Sequence, residues 1–369
     1  MLTPRRLVGI ALVLMVLAYA RVINAPFLYE DASSVKAVDG LTWQSPSGWF
    51  TTGRALTRLS LDANYLIGGM NTTGYHAANI GLHGINGVLV YQIGLAVLSP
   101  PAAAVAASIF LLHPIQREAV SYVSGRSELL STMFVLLALW CMAGPLTKRR
   151  GIGFLLCAAA AMASKETGAA VVMLAPVMAW ATKSDKEWYA LIALIPGVAI
   201  LHAYAALNSN YYAFASPRQW MGYPALQSAA LWSHLWHVVT FQGFSIDHDT
   251  EVIEPALALC ALLAVMVWGV VSGLLLRRHA VIGLALTWPL IALAPRFVIR
   301  IPEYLNEHQL YLPLVGLWFI CGMLWVKMVE AFETYQFVRD HARWEQEPLR
   351  GPDDVLAALH ASGRLGKEP

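Results

Sequence analysis

Residues 75–98 read YHAANIGLHGINGVLVYQIGLAVL, an apolar run without a single Asp, Glu, Lys or Arg. A helix needs about 20 mostly apolar residues to cross the hydrocarbon core of a bilayer, and this stretch is long enough. His76 and His83 stand seven apart and share a helix face. With Asn79 and Asn86 they form one polar stripe. Such a stripe in an apolar span reads as interhelical hydrogen bonding more readily than as a metal site. The stretch predicts a membrane helix packed among other helices.

The same pattern extends outward. Further apolar runs stand at 7–25, 101–112, 129–143, 151–163, 169–182, 188–207, 255–276, 281–294 and 311–328. Several are short for a full crossing and either gain a turn at an end or finish in a water-filled cavity. Residues 226–244 carry Ser233, His234, His237 and Gln242 and read as an interfacial or half-buried helix. The first run follows Arg5 and Arg6 and lacks an A-x-A-like cleavage site, so it reads as an uncleaved helix.

Composition agrees. Hydrophobic residues make up 57% of the 369 positions and charged residues 13%, where a soluble domain carries about 25% charged. Mean hydropathy is +0.55. The net charge of +2, with no basic tract, gives no sign of a nucleic-acid partner. Cys141, Cys157, Cys260 and Cys321 each sit inside an apolar run, with neither a CxxC pair nor metal-ligand spacing. The expectation is an all-α polytopic membrane protein of about ten transmembrane helices. Interfacial helices are expected in a polar first outer loop at 26–73. Residues 1–329 would form the membrane domain and 330–369 a short cytoplasmic helical tail.

Lys and Arg set the orientation. With the N-terminus in the cytoplasm and 226–244 not crossing, Lys148, Arg149, Arg150, Lys183, Lys186, Arg277 and Arg278 fall inside. A second set of ionisable residues then faces outward: Glu30, Asp31, Arg54, Arg58, Arg117, Arg126, Lys165, Arg296, Arg300, His76, His113, His248 and His308. Charges beside a membrane are costly and mark functional sites by default. A lipid-linked phosphate suits the cations, with its tail in lipid and its phosphate on Arg and Lys. The rival is internal ion pairing. Arg117 adjoins Glu118, Lys165 adjoins Glu166, and Arg126 is two from Glu128. Such neighbours do not face each other on a helix, so any pairing would join different segments.

Glu30 and Asp31 follow the first helix directly and are the clearest candidates for a general base held at a fixed height above the bilayer. Asp31 also suits a helix N-cap ahead of Ala32, Ser33 and Ser34, and the two roles are compatible. Asp247, His248 and Asp249 form an Asp-x-Asp pattern that can hold a divalent metal. A polar turn is the commoner use of such a string.

Six strings then stand together: Tyr29, Glu30 and Asp31; RALTRLSLDANYLIGGMNTTGYHAANIGLH from Arg54; LHPIQREAVSYVSGRSELLS from Leu112; SKETG from Ser164; SIDHD from Ser245; and EHQLYLP from Glu307. In this order, over most of residues 1–330, they resemble the membrane domain of the transmembrane and tetratricopeptide-repeat O-mannosyltransferases and their bacterial relatives, which are GT-C type glycosyltransferases. The resemblance implies a GT-C-like bundle, a polyprenyl-phosphate-linked sugar donor and inverting transfer to an acceptor hydroxyl of a protein or glycan outside the cytoplasm. It makes Glu30 and Asp31 the base and its partner. The family more often shows two aspartates there, which leaves open which carboxylate is the base. It implies that Arg126 and Lys165, with Arg117 and His308, meet the donor phosphate. Arg54, His113, Glu118, Glu128, Glu166, His248, Glu307 and Tyr311 would line or brace the site. A bacterial inner membrane, with the site facing the periplasm, is the expected location.

The eukaryotic members carry a long repeat domain after the membrane part, and this chain carries only a tail from about residue 330. A partner subunit or a small or lipid acceptor is therefore compatible with it. So is a second class of function, a GT-C-like scaffold without catalysis in a membrane complex. Divalent-cation dependence stays open. A transporter is disfavoured, since no pair of matching interrupted helices suggests inverted repeats.

Overall fold

The structure, a computed structural model, describes residues 3–29, 31–36, 54–196, 222–243, 253–298 and 306–344, and among these every regular element is helical. Helix α1 spans Pro4–Tyr19. Thr3 caps it by accepting the Arg6 N–H, and Pro4 opens it with its backbone already preset. A 3-10 turn, Ala20–Asn24, continues it. Two further helices follow: α2 at Asp31–Lys36 and α3 at Ala55–Gly68.

Helix α4, Thr72–Val97, contains the stretch quoted first, and Asn71 caps it through the Thr73 N–H. Helix α5, Pro100–Leu112, ends where His113 precedes Pro114, because the residue before proline is pushed out of helical geometry. A 3-10 turn at Pro114–Gln116, the short α6 at Arg117–Ser121 and a second 3-10 turn at Val123–Gly125 lead into α7, Arg126–Cys141. Helix α8, Lys148–Ser164, then a 3-10 turn at Glu166–Ala170 and α9 at Val171–Thr182 return through the bundle, and α10 is Lys186–Ile192. Helix α11 is Tyr223–Thr240, α12 Pro255–Arg278 and α13 Ala280–Val298. A 3-10 turn at Glu307–Leu310 precedes α14, Leu314–Trp344.

Helix α4 packs on α1, α5 and α7. Helix α5 packs on α1 and α14, and α8 on α7. Helices α11 to α14 pack in succession. Among the described residues, five of the ten expected spans are long and apolar enough to cross a membrane: Pro4–Asn24, Thr72–Val97, Pro255–Arg278, Ala280–Phe297 and Leu314–Arg339; the expected run at 188–207 lies in part outside them. The chain is an integral membrane protein of helical type. The runs at 101–112, 129–143, 151–163 and 169–182 form helices of 13, 16, 17 and 12 residues, too short by length for that set. The polar motifs at 112–131 and 164–168 interrupt them, with α5 stopped by Pro114 and α8 handed into the turn after Lys165. Helix α14 runs through position 330 without a break, and the tail beyond 344 lies outside the described residues.

The polar stripe of α4 is used as its spacing suggested. His76 bonds the Ala25 carbonyl, Asn79 donates to the carbonyls of Val120 and Tyr122, and Asn86 donates to that of Leu129. His83 Nε2 lies 3.1 Å from the Leu111 carbonyl and its Nδ1 2.7 Å from the Tyr311 hydroxyl. In a neutral ring the carbonyl must accept from Nε2–H, so Nδ1 accepts from Tyr311.

Candidate active site

The described segments that carry the motifs are tied to one another by hydrogen bonds and ion pairs. Asp31 opens α2 and is 1% exposed. Its carboxylate accepts from the Ser124 N–H at 2.8 Å, the Ser124 hydroxyl at 2.9 Å, and the N–H groups of Val123 and Leu28 at 3.3 Å. Burial pushes its pKa above the usual carboxylate range, and these hydrogen bonds oppose the rise. Asp31 thereby ties the first outer loop to the turn that starts α7. That turn depends on Gly125, where a Cβ would collide with the backbone of Ala119. Glu30 lies outside the described residues.

The next residue after the turn is Arg126, 2% exposed at the start of α7. Its Nε donates to Asn79 Oδ1, its Nη2 to the Tyr75 carbonyl at 2.9 Å, and its Nη1 to Asn64 Oδ1 at 2.9 Å and Ser60 Oγ at 3.5 Å. All four acceptors are neutral, and among the described residues Arg126 forms no ion pair. A buried cation is normally matched by a carboxylate, and among the described residues this guanidinium's charge is unmatched.

Lys165 and Arg54 are matched by carboxylates of other segments, whereas Arg58 pairs with Asp62 within α3. Lys165 Nζ is 2.5 Å from Glu128 Oε1, with both side chains buried, and Thr167 Oγ1 reaches the other Glu128 oxygen at 3.4 Å. Arg54 forks onto Glu166, Nη2 at 2.6 Å and Nε at 3.1 Å. Burial alone would raise the Glu166 pKa, but Arg54 and Lys165 together outweigh it and hold it down at about 2. The Thr57 hydroxyl donates to the Ser164 carbonyl at 2.7 Å, so α3 is clamped onto the end of α8. Gly168 allows this turn, since a Cβ there would meet the backbone of Ala161.

Glu118 accepts from the His308 N–H and Nδ1, both at 2.7 Å, and joins α6 to the turn at 307–310. Arg117 beside it is exposed. His113 accepts the Ile115 N–H on Nδ1, so its Nε2–H donates to the Val238 carbonyl at 3.1 Å. Its ring stacks between Phe241 and Trp318, and burial lowers its pKa despite the carbonyl. Tyr311 is wholly buried, its hydroxyl shared by His83 and by Asn86 Nδ2 at 3.2 Å. Glu307, 1% exposed, lies with His234 and His237 of α11. His248, with Asp247 and Asp249, lies outside the described residues.

Asp31, Arg126, Arg54, Lys165, Glu128 and Glu166 thus belong to interlinked segments. Glu118 with His308, His113, and Glu307 brace neighbouring turns. The sequence reading singled out neither Asn64 nor Ser60 as holders of the guanidinium. Their only signal was their spacing of four on a polar face of α3.

No protein-family model matches the chain, and no solved structure does. Curated proteins do. Protein O-mannosyl-transferase Tmtc1 of Drosophila melanogaster is 34% identical over 137 residues, 32% of this chain and 16% of that protein. Protein O-mannosyl-transferase TMTC2 of Mus musculus is 30% identical over 184 residues, 43% of this chain and 22% of that protein. Protein O-mannosyl-transferase Tmtc2 of Drosophila melanogaster is 28% identical over 271 residues, 64% of this chain and 28% of that protein. The matches cover between 16% and 28% of these relatives' own lengths. In sequence, this helical membrane chain is similar to the protein O-mannosyl-transferases.

Proposed function

We propose that the chain is an inverting membrane glycosyltransferase that moves a sugar, mannose by analogy with its relatives, from a polyprenyl phosphate to an acceptor hydroxyl on the non-cytoplasmic side. The observation that carries this reading is Arg126, a buried guanidinium with four neutral acceptors and, among the described residues, no carboxylate partner. A fixed positive charge that needs an anion is what a departing lipid phosphate requires. The Nη1 edge, held loosely by Ser60 at 3.5 Å, is where a phosphate oxygen would reach it.

The reaction follows from this arrangement. The acceptor oxygen attacks the anomeric carbon and forms the new glycosidic bond. The bond from that carbon to the phosphate oxygen breaks, and the lipid phosphate leaves with the electron pair. The acceptor proton passes to a carboxylate. Asp31 already accepts four hydrogen bonds, so Glu30 is the base and Asp31 positions it. Lys165, neutralised by Glu128, braces the end of α8 and frees Arg126 to meet the phosphate, and Arg117 offers an exposed cation to the lipid phosphate as it arrives. With the N-terminus in the cytoplasm and the ten crossings expected from the sequence, these groups would face outward from a bacterial inner membrane.

The test is transfer in proteoliposomes from a polyprenyl-phosphate mannose donor to a Ser/Thr peptide. Arg126→Gln loses about 10²–10³ of the rate, and Arg126→Lys recovers only part of it, because lysine lacks the planar fork. Glu30→Gln abolishes transfer. Asp31→Asn lowers the rate but keeps the shape of the pH–rate profile. Full activity in Glu30→Gln removes the base assignment, and full activity in Arg126→Gln removes the phosphate site. A wild-type protein that binds no polyprenyl-phosphate sugar and purifies with a fixed partner is the scaffold instead.

A further inference from the structure

Helix α11 carries two histidines one turn apart, His234 and His237, which share a face. Their rings stand 5.7 Å apart at 78°. The 3-10 turn at 307–310 brings Glu307 to the same place, and one ligand atom from each of the three lies within 4.8 Å of the others. His234 is 3% exposed and Glu307 1%. His237 is half-buried, which leaves one side of the group open to entry. The backbone holds that ring in position. Gly243 has φ +78°, and a Cβ there would come within 2.7 Å of His237 Nε2. Behind the group, His113 pins α11 through the Val238 carbonyl, next in sequence to His237.

We propose that His234, His237 and Glu307 form a binding site for a divalent transition metal, zinc in the first instance. Two imidazoles and a carboxylate are a donor set of borderline softness, which suits zinc and iron(II) rather than magnesium or calcium. Zinc is held more tightly than iron(II) by such a set. Nitrogen and oxygen ligands at about 2.0–2.2 Å in a tetrahedral shell stand about 3.4 Å apart. The present 4.8 Å limit therefore closes by side-chain rotation over about 1 Å. The metal would also fasten α11 to the 307–310 turn, whose next residue, His308, is held by Glu118. None of the three is a hydrogen-bond partner of Arg126, so the proposal stands whether or not the chain transfers sugar.

The experiment is metal analysis of the untagged full-length protein in detergent. The protein is stripped with chelator, then exposed in separate samples to zinc, iron(II) and magnesium, and desalted. The expected result is near-stoichiometric zinc, weaker iron(II), no magnesium, and a higher unfolding midpoint with zinc. His234→Ala and Glu307→Gln lose the zinc and the stabilisation. His279→Ala, which removes an exposed histidine at the far end of α12, leaves both unchanged. Should the two variants fail to fold, cobalt(II) bound to the wild type reports the site. Its visible bands should show nitrogen and oxygen ligation and should vanish when zinc is added. No zinc retained, equal zinc in the variants, or no cobalt bands overturns the proposal and leaves a metal-free buried cluster.

Discussion

Lys165 and Glu128 are tolerated in the interior because each neutralises the other at 2.5 Å. Breaking a buried pair by removing one partner costs about 3–5 kcal/mol, far more than replacing both. Lys165→Met is thus expected to destabilise strongly, and adding Glu128→Leu to recover much of the loss. Chemical unfolding of the two single variants and the double variant in detergent measures that coupling. Glu166 gives a pH signature. Its folded pKa is depressed to about 2, below an unfolded value of about 4.3. A depressed carboxylate contributes stability above the unfolded pKa and loses it as pH falls towards the folded one. The gap in unfolding midpoint between wild type and Glu166→Gln should be full above about pH 5 and shrink steadily towards pH 2. At this scale the sequence made the charged residues conspicuous but could not pair them. Lys165 and Glu128 are 37 residues apart, and Arg54 and Glu166 are 112 apart. Neighbours such as Lys165 and Glu166 looked like candidates for pairing, yet each side chain points to a different segment. Only the tertiary fold decides that.

Helices α5, α7, α8 and α9 are shorter than a bilayer crossing because polar turns cut into them, and those turns carry the site. Helix α7 begins at Arg126, three residues before the apolar run at 129–143, since Arg126 and Glu128 are buried against partners that apolarity alone cannot reveal. The long helices were legible because nothing interrupts their hydrophobic runs, and the stripe on α4 was legible because its period is helical. The turn geometry was not, because it rests on close backbone approach. Gly125→Ala is therefore expected to cost at least about 1–3 kcal/mol through overpacking. Gly81→Ala, in a helix with nothing within 4 Å of an added Cβ, should be neutral or stabilise by up to about 1 kcal/mol. Thermal unfolding of the two variants side by side distinguishes these outcomes.

Over the whole molecule, the apolar surface is distributed as lipid would demand. Only 11% of the hydrophobic window of α12 is buried within the protein, and Leu263, Met266, Val267, Val270 and Leu274 are all exposed. An arginine in the middle of such a helix costs about 2.5–3.5 kcal/mol on insertion. Val267→Arg should lower the fraction of α12 that integrates, as read by glycosylation mapping of its flanks. The same change at a polar outer position, such as Ser60, should leave integration alone.

The Asp31 latch has a consequence for hydrogen exchange. Val123 and Ser124 sit in a 3-10 turn, where amides ordinarily trade their protons quickly, yet both N–H groups are bound to a buried carboxylate 92 and 93 positions upstream. Their exchange can proceed only when the first outer loop lifts away. The two amides are therefore a built-in clock for that motion. In deuterium they should exchange as slowly as amides inside α7, speed up sharply in Asp31→Ala, and slow further whenever a bound donor holds the loop closed.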